Sequence, residues 1–328
     1  MKAKKFVAVC MCVICTIFIL VGCTKTPKEE SIVRVGGLKG PTSMGLLFMN
    51  EKNKANSGEI NYEFTMVTAA EELLTMMVKE ELDIALVPAN VASVLYNKTE
   101  GQISVVDINT LGVLYMISGD DSIQKPEDLR GKTVYMTGKG TTPDYVLRYI
   151  LQGNGLKETD LTLEYRSEAT EVAALLTENP EAVGLLPQPF VTAACAQNEA
   201  LKDVLDLNKE WIELQGEEGS PMVTGVTVVR NTFLEEKENV LKDFLQKHKE
   251  SAEEMNENIE KGAELVVNAG IIAKEAIAKK AIPACNITYI DGEEMKLALS
   301  GYLAVLFEQD AKAVGGKLPE EDFYYVPK

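Results

Sequence analysis

The sequence predicts an α/β protein of two lobes, each built on a mostly parallel sheet flanked by helices. Three observations lead there. The chain has 328 residues, more than one core holds comfortably, since single cores stop growing near ~250–300 residues. Apolar residues make up 46% and charged residues 25%, a balance that excludes wholesale disorder, collagen-like repeats and a polytopic membrane protein. From Ile32 onward, short apolar stretches alternate with longer helical patterns, the signature of parallel strands joined by crossover helices.

The first element is a leader. Met1 to Lys5 carries three lysines, and the 16 residues from Phe6 to Val21 carry no charge and only Thr16 as a polar member. A spanning helix needs ~20 apolar residues, so this run has the length of the apolar centre of an export signal. It ends in Leu20-Val21-Gly22-Cys23, which resembles the lipobox of bacterial lipoproteins and implies diacylglycerol on the Cys23 thiol. The expectation is a signal peptide over 1–22, a polar, lipid-anchored tether over 23–31 that holds Pro27, and a folded body beyond. An uncleaved single-span anchor is the alternative.

Strands are expected at Ile32–Val35, Tyr62–Val67, Ile84–Val87, Thr133–Met136, Leu161–Tyr165, Val183–Leu186 and Val223–Val229. Five of the places where a strand gives way to a helix carry turn or cap chemistry, and unpaired N–H groups and the positive helix end point outward there. The first is Gly36-Gly37-Leu38-Lys39-Gly40-Pro41-Thr42-Ser43-Met44, and the second is Thr68-Ala69-Ala70-Glu71, a T-x-x-E capping box. The third is Pro88-Ala89-Asn90, with Asn90 as the cap; the fourth is Gly138-Lys139-Gly140-Thr141-Thr142-Pro143; the fifth is Pro187-Gln188-Pro189-Phe190. Gly138 and Gly140 mimic half of a dinucleotide fingerprint, but Pro143 replaces the third glycine and no G-x-x-x-x-G-K-[ST] is present, so a small anionic or polar ligand fits better than a nucleotide.

Charge and residue usage narrow the chemistry. Lys and Arg number 33 against 50 Asp and Glu, a formal charge of −17, which leaves no basic surplus for nucleic acid. The single histidine, His248, lies between Lys247 and Lys249 in a helical pattern and is expected on a solvated face. Histidine triads and His-rich zinc sites drop out with it. Of six cysteines, Cys10, Cys12 and Cys15 fall in the leader and Cys23 is the anchor. Cys195 and Cys285 remain, expected as free buried thiols. No cofactor or metal is called for. Trp211 is expected to pack inside the second lobe, and the aromatic tail Phe323-Tyr324-Tyr325 to strap onto the first.

The element order, with the lipobox, resembles the solute-binding proteins of ABC importers, and more narrowly those that capture nitrate, alkanesulfonates, taurine or thiamine-precursor pyrimidines. The resemblance is carried by Gly40-Pro41-Thr42-Ser43-Met44-Gly45, by Asp83 to Asn90 (DIALVPAN), by Pro126 to Val134 (PEDLRGKTV) and by Gly184 to Val191 (GLLPQPFV), with Gln188 where many members have glutamate. It implies a two-lobed periplasmic-binding-protein clamp of type II, crossed near Tyr115–Gly119 and again near Ser220–Gly225. Lobe 1 is then 32–116 with 225–328, and lobe 2 is 117–224. Closing the hinge would bring both sets of helix starts around one solute.

On that basis the expected solute-binding residues are Thr42, Ser43, Thr68, Asn90, Gly140, Thr141, Thr142 and Gln188, with Met44 and Tyr115 as apolar walls. Tyr135, Tyr145 and Phe190 would join Tyr115 if the solute is a heteroaromatic ring. No arginine falls in the five junctions, and Lys39 and Lys139 are the nearby cations. The expected partners are a small-molecule solute, ABC permease subunits with a cytoplasmic ATPase, and the membrane through the N-terminal lipid. The protein is expected to be extracytoplasmic and monomeric. An enzyme on the same clamp, such as those of the menaquinone pathway, and a surface sensor are the competing readings.

Overall fold

The computed structural model describes residues 31–55, 60–216 and 219–327. The expected signal peptide, Cys23 and the tether up to residue 30 lie outside the described residues. Among the described residues no helix is long and apolar enough to cross a membrane.

Two sheets organise the chain. The first comprises β1 (Ser31–Leu38), β2 (Ile60–Val67), β3 (Ile84–Pro88), β4 (Ile103–Leu111), β10 (Val223–Arg230) and β11 (Ile287–Ile290), in the order β11-β4-β10-β3-β1-β2. The second comprises β5 (Leu114–Ser118), β6 (Thr133–Met136), β7 (Thr162–Tyr165), β8 (Val183–Pro187) and β9 (Lys202–Asp206), in the order β7-β6-β8-β5-β9. Ile84 to Val87 is a continuous apolar run because it is buried on both faces. It pairs in parallel with β1, Val35 facing Ile84.

The helix layers are α1 (Pro41–Met44), α2 (Leu47–Ala55), α3 (Ala70–Val78), α4 (Ala89–Lys98), α5 (Thr142–Gly153), α6 (Ala169–Glu178), α7 (Phe190–Gln197), α8 (Leu207–Gln215), α9 (Asn231–Glu236), α10 (Glu238–Glu257), α11 (Ile259–Asn268), α12 (Glu275–Ala281) and α13 (Gly292–Gln309).

Each sheet is mixed rather than mostly parallel. The strands with crossover helices, β3-β1-β2 and β7-β6-β8, run parallel. Strands next to a lobe crossing pair antiparallel, β10 with β3 and β4, and β5 with β8 and β9. The reason is connectivity: a strand entered directly from the other lobe needs no crossover helix.

The first crossing falls at Gly112–Val113, ahead of the expected Tyr115–Gly119, because β4 ends at Leu111 and β5 starts at Leu114 in the second sheet. Residues 114–116, Tyr115 among them, therefore belong with lobe 2. The return runs from the end of α8 at Gln215 to the start of β10 at Val223. The crossing is held by Asn286, whose Nδ2 donates to Gly112 O and whose carbonyl accepts from Leu111 N at 3.1 Å.

One apolar core runs through both lobes, taking Val87 of β3 and Leu95 of α4, Val134 of β6 and Leu147 of α5, and Leu299, Tyr302 and Leu303 of α13. Trp211 is fully buried, stacks near Tyr149 (4.6 Å) and Tyr302 (5.3 Å), and donates from Nε1 to Ser220 O at 2.7 Å. The tail packs as a strap: Phe323 is buried against Tyr96, and Tyr325 N donates to Val105 O of β4 at 2.9 Å. Cys285 is buried and Cys195 half-buried, and both are free thiols.

At the end of the first sheet away from the helix starts, Asp83 is gripped by two arginines. Its Oδ1 accepts from Arg34 (2.6 Å) and Arg230 (2.8 Å), and its Oδ2 accepts from Arg34 N (2.9 Å) and Nε (3.0 Å). Burial pushes this carboxyl up, but those hydrogen bonds outweigh it and hold it below the usual carboxylate range.

His248 overturns its expected placement. It is fully buried, with Nδ1 3.2 Å from Asp107 Oδ2. The flanking lysines misled, because on a helix the relevant neighbours are three and four residues away. Leu241, Phe244, His248, Ala252 and Met255 make one buried stripe on α10.

Candidate functional site

Helix starts gather at the carboxyl ends of β1, β3, β6 and β8. After β1, the short turn α1 places Thr42 against β10. Gly225 has no Cβ there; an added one would lie 2.5 Å from Thr42 Cγ2 and 2.5 Å from Asn109 Oδ1. Ser43 sits likewise over Gly37, where an added Cβ would lie 2.3 Å from its Oγ. Both hydroxyls are buried without a hydrogen-bond partner, and such atoms are costly unless something pairs with them. Ser43 also borders a cavity of about 180 Å³ walled by Gly36, Leu46, Phe64 and Met66.

The other first-lobe candidates fare differently. Met44 is fully buried with Phe48, Ala252 and Met255 and forms core, not a cleft wall. Thr68 is exposed and caps nothing, because α3 starts at Ala70 with Ala69 as its cap residue and no side-chain cap bond. Asn90 is likewise no cap: α4 starts one residue earlier, behind Pro88. Its side chain instead donates to Ala313 O at 3.3 Å and accepts from Thr142 Oγ1 of α5 at 2.9 Å. Asn90 follows a first-sheet strand and Thr142 a second-sheet strand, so this bond joins the lobes. Farther along α5, Tyr145 OH reaches Asp310 Oδ2 at 3.5 Å, and Gln309 of α13 donates to Gln152 Oε1 at 3.1 Å.

The loop before α5 is braced from behind. Gly138 and Gly140 take left-handed φ values of 76° and 69°, which glycine adopts without strain. The Gly140 amide donates to Asp144 Oδ2 at 2.8 Å, and Thr141 Oγ1 donates to Gly138 O at 2.6 Å rather than capping the helix. Asp144 also accepts from Arg148 Nε (2.7 Å) and Tyr165 OH (2.8 Å); burial and then that bond push the Tyr165 phenol up to about 12. Lys139 lies over the Tyr165 ring, 5.4 Å from its centre.

Gln188 is buried, and its Oε1 accepts from Thr192 N (3.3 Å) and Oγ1 (2.9 Å) while its backbone N donates to Val113 O (2.9 Å). Tyr115 is buried among Ile117, Val172, Leu176 and Leu186. Burial, then Asp206 and Asp203, push its phenol up to about 12.

The structure therefore brings Asn90 and Thr142 together, sets Thr42 over the strand that returns from lobe 2, and leaves Met44 in the core and Thr68 in solvent. Sequence reasoning missed Asn109 and Gly225. A glycine inside a β-branched strand, Val223-Thr224-Gly225-Val226-Thr227, is the signal that marks a close approach.

Chemically, these groups are hydroxyls and amides suited to hydrogen bonding. Among the described residues no three His, Cys, Asp or Glu side chains cluster to hold a metal. Burial pushes the Cys285 thiol up to about 12, the opposite of what a nucleophile needs.

No curated protein matches the chain. Among solved structures, an ABC transporter protein from Parabacteroides distasonis is 25% identical with a TM-score of 0.76, over 91% of this chain and 99% of that one. The periplasmic aliphatic sulphonate-binding protein of Escherichia coli is 15% identical with a TM-score of 0.75, over 92% and 94%. The alkanesulfonate-binding protein of Xanthomonas axonopodis pv. citri, solved with MOPS bound, is 14% identical with a TM-score of 0.65, over 89% and 96%. These likenesses bear out the two-lobed periplasmic-binding-protein fold. A family model described as menaquinone biosynthesis matches residues 41–280, and the chain belongs to that family, built on the fold of ABC-type solute-binding proteins.

Proposed function

We propose that the protein is an extracytoplasmic solute-binding lipoprotein of an ABC-type importer. It closes two lobes on a small polar or anionic organic solute, a sulfonate, nitrate or pyrimidine-like compound, and delivers it to a permease driven by a cytoplasmic ATPase. The observation that carries this reading is the meeting of Asn90 and Thr142 from opposite lobes; Thr42, packed on Gly225 of the returning strand, adds a buried hydroxyl with no protein partner. Thr42, Ser43, Thr142, Thr141, Gly140 and Gln188 supply the polar contacts. A solute touching both lobes stabilises the closed state by its differential affinity, and the closed form is what a permease recognises. Sulfonates lead the candidates because two of the structural neighbours are sulfonate-binding proteins.

In this reading the signal over 1–22 is removed, lipid on Cys23 anchors a monomer, and Cys23→Ser abolishes labelling by radioactive palmitate. A thermal-shift screen of the protein beginning after Cys23, against sulfonates, nitrate, aminopyrimidines and amino acids, tests the solute role. A ligand at a hundredfold excess over Kd adds roughly 2.7 kcal/mol. One chemically coherent group of hits supports the reading, and none, after unfolding and refolding to strip bound ligand, defeats it.

The family description favours a second reading, an enzyme on the same clamp. Against it stand a buried Cys285 and a sole histidine sealed in lobe 1. Mass spectrometry of the recovered solute separates the two: an enzyme returns it changed.

A further inference from the structure

Lobe 1 contains a chain of buried polar side chains that neither the core nor the solute contacts explain. His248 Nδ1 lies 3.2 Å from Asp107 Oδ2. Asp107 Oδ1 accepts from Thr227 Oγ1 at 2.8 Å, Thr227 Oγ1 accepts from Asn109 Nδ2 at 3.2 Å, and Asn109 Oδ1 accepts from Thr110 Oγ1 at 2.9 Å. All five residues are at most 2% exposed. Apolar side chains would pair β4 and β10 without the desolvation cost of a buried carboxylate and amide.

What the chain adds is direction. Thr227 has one hydroxyl proton and donates it to Asp107 Oδ1, so toward Asn109 it can only accept. His248 Nδ1 faces the other carboxyl oxygen, Oδ2, and an Nδ1–H there would complete the run of donors. The Asn109 amide is thereby locked with its oxygen toward Gly225, where an added Cβ would lie 2.5 Å away. The Thr42 methyl fills the same notch, so its hydroxyl points elsewhere and has no protein partner.

We propose that His248, Asp107, Thr227 and Asn109 are positioning residues that hold Thr42 in one rotamer with its hydroxyl presented to the solute. This rests on the solute-binding role of Thr42. Reversing the chain would turn the Asn109 amide, bring an N–H beside Thr42, and tie up the hydroxyl.

The test is nuclear magnetic resonance on the full mature chain, where the single histidine gives one assignable ring. Wild type should show the Nδ1–H tautomer and three-bond couplings of one Thr42 rotamer. Asp107→Asn should average that rotamer or switch it. Thr227→Val, nearly isosteric, should do the same if Asp107→Asn fails to fold, and Thr227→Ser should restore the wild-type couplings. An Nε2–H tautomer, or Thr42 couplings unchanged in folded Thr227→Val, overturns the proposal. Calorimetry with ethanesulfonate then reads the consequence, an expected loss of affinity of at least tenfold in Thr227→Val. Wild type failing to bind any of the screened solutes while the couplings behave as expected counts against the solute role alone.

Discussion

Thr142 Oγ1 donates to Asn90 Oδ1 at 2.9 Å, and the two residues stand on opposite lobes. Both side chains are buried, so the opening proposed for the clamp would expose each to water and exchange this bond for hydration. A neutral hydrogen bond of this kind is worth ~1 kcal/mol net, about a fivefold bias toward the closed form. Thr142→Val should raise the open population by about that factor, read as single-molecule energy transfer between labels at Lys54 and Lys157. An unchanged distribution would mean the pair stays together through the motion.

A side chain at Gly112 would have to displace its neighbours. A Cβ there would lie 2.3 Å from both Asn208 Oδ1 and Met222 Cε. Gly112→Ala should cost about 1–3 kcal/mol by overpacking, seen as a lower urea midpoint with an unchanged slope. A midpoint equal to wild type would show that the crossing yields.

Asp83 sets an acid limb. Its folded pKa lies below its unfolded value, so the stability it contributes is present above the unfolded pKa of ~3.9 and is lost as pH falls through the folded one. Asp83→Asn leaves Arg34 and Arg230 facing a neutral group and should cost about 2–3 kcal/mol at pH 7. The deficit should shrink below about pH 4, measured by urea unfolding against pH. A deficit that persists at pH 2 would assign the cost to packing.

Thr68→Ala should change stability by less than about 0.5 kcal/mol, since the exposed hydroxyl makes no cap bond. A loss near ~1 kcal/mol in urea unfolding would restore the capping box.

What the sequence made legible followed from local patterning. The apolar run Ile84 to Val87 and the stretch Val223 to Val229 fold as the strands their composition predicts. β4 escaped detection because Asp107 and Asn109 interrupt its apolar pattern, and their burial depends on partners in β10 and α10 far along the chain. His248 was misread for the same reason: its partner lies 141 residues away. In the site, cap chemistry located the helix starts, but not which side chain faces which. Asn90 looked like a cap and instead reaches the other lobe, a tertiary fact with no local trace.

The position of β10 between β3 and β4 has a consequence for the order of assembly. The second sheet is drawn from one uninterrupted stretch, Leu114 to Asp206, whereas β4 pairs with β10 and β11 and bridges Tyr324 of the tail, all later in the chain. Its edges therefore stay open until those late strands arrive, and loop closure over that distance is the slower event. Pulse-labelled hydrogen exchange should find the amides of β5, β6 and β8 protected before those of β4, with the insertion of β10 as the step that finishes the molecule.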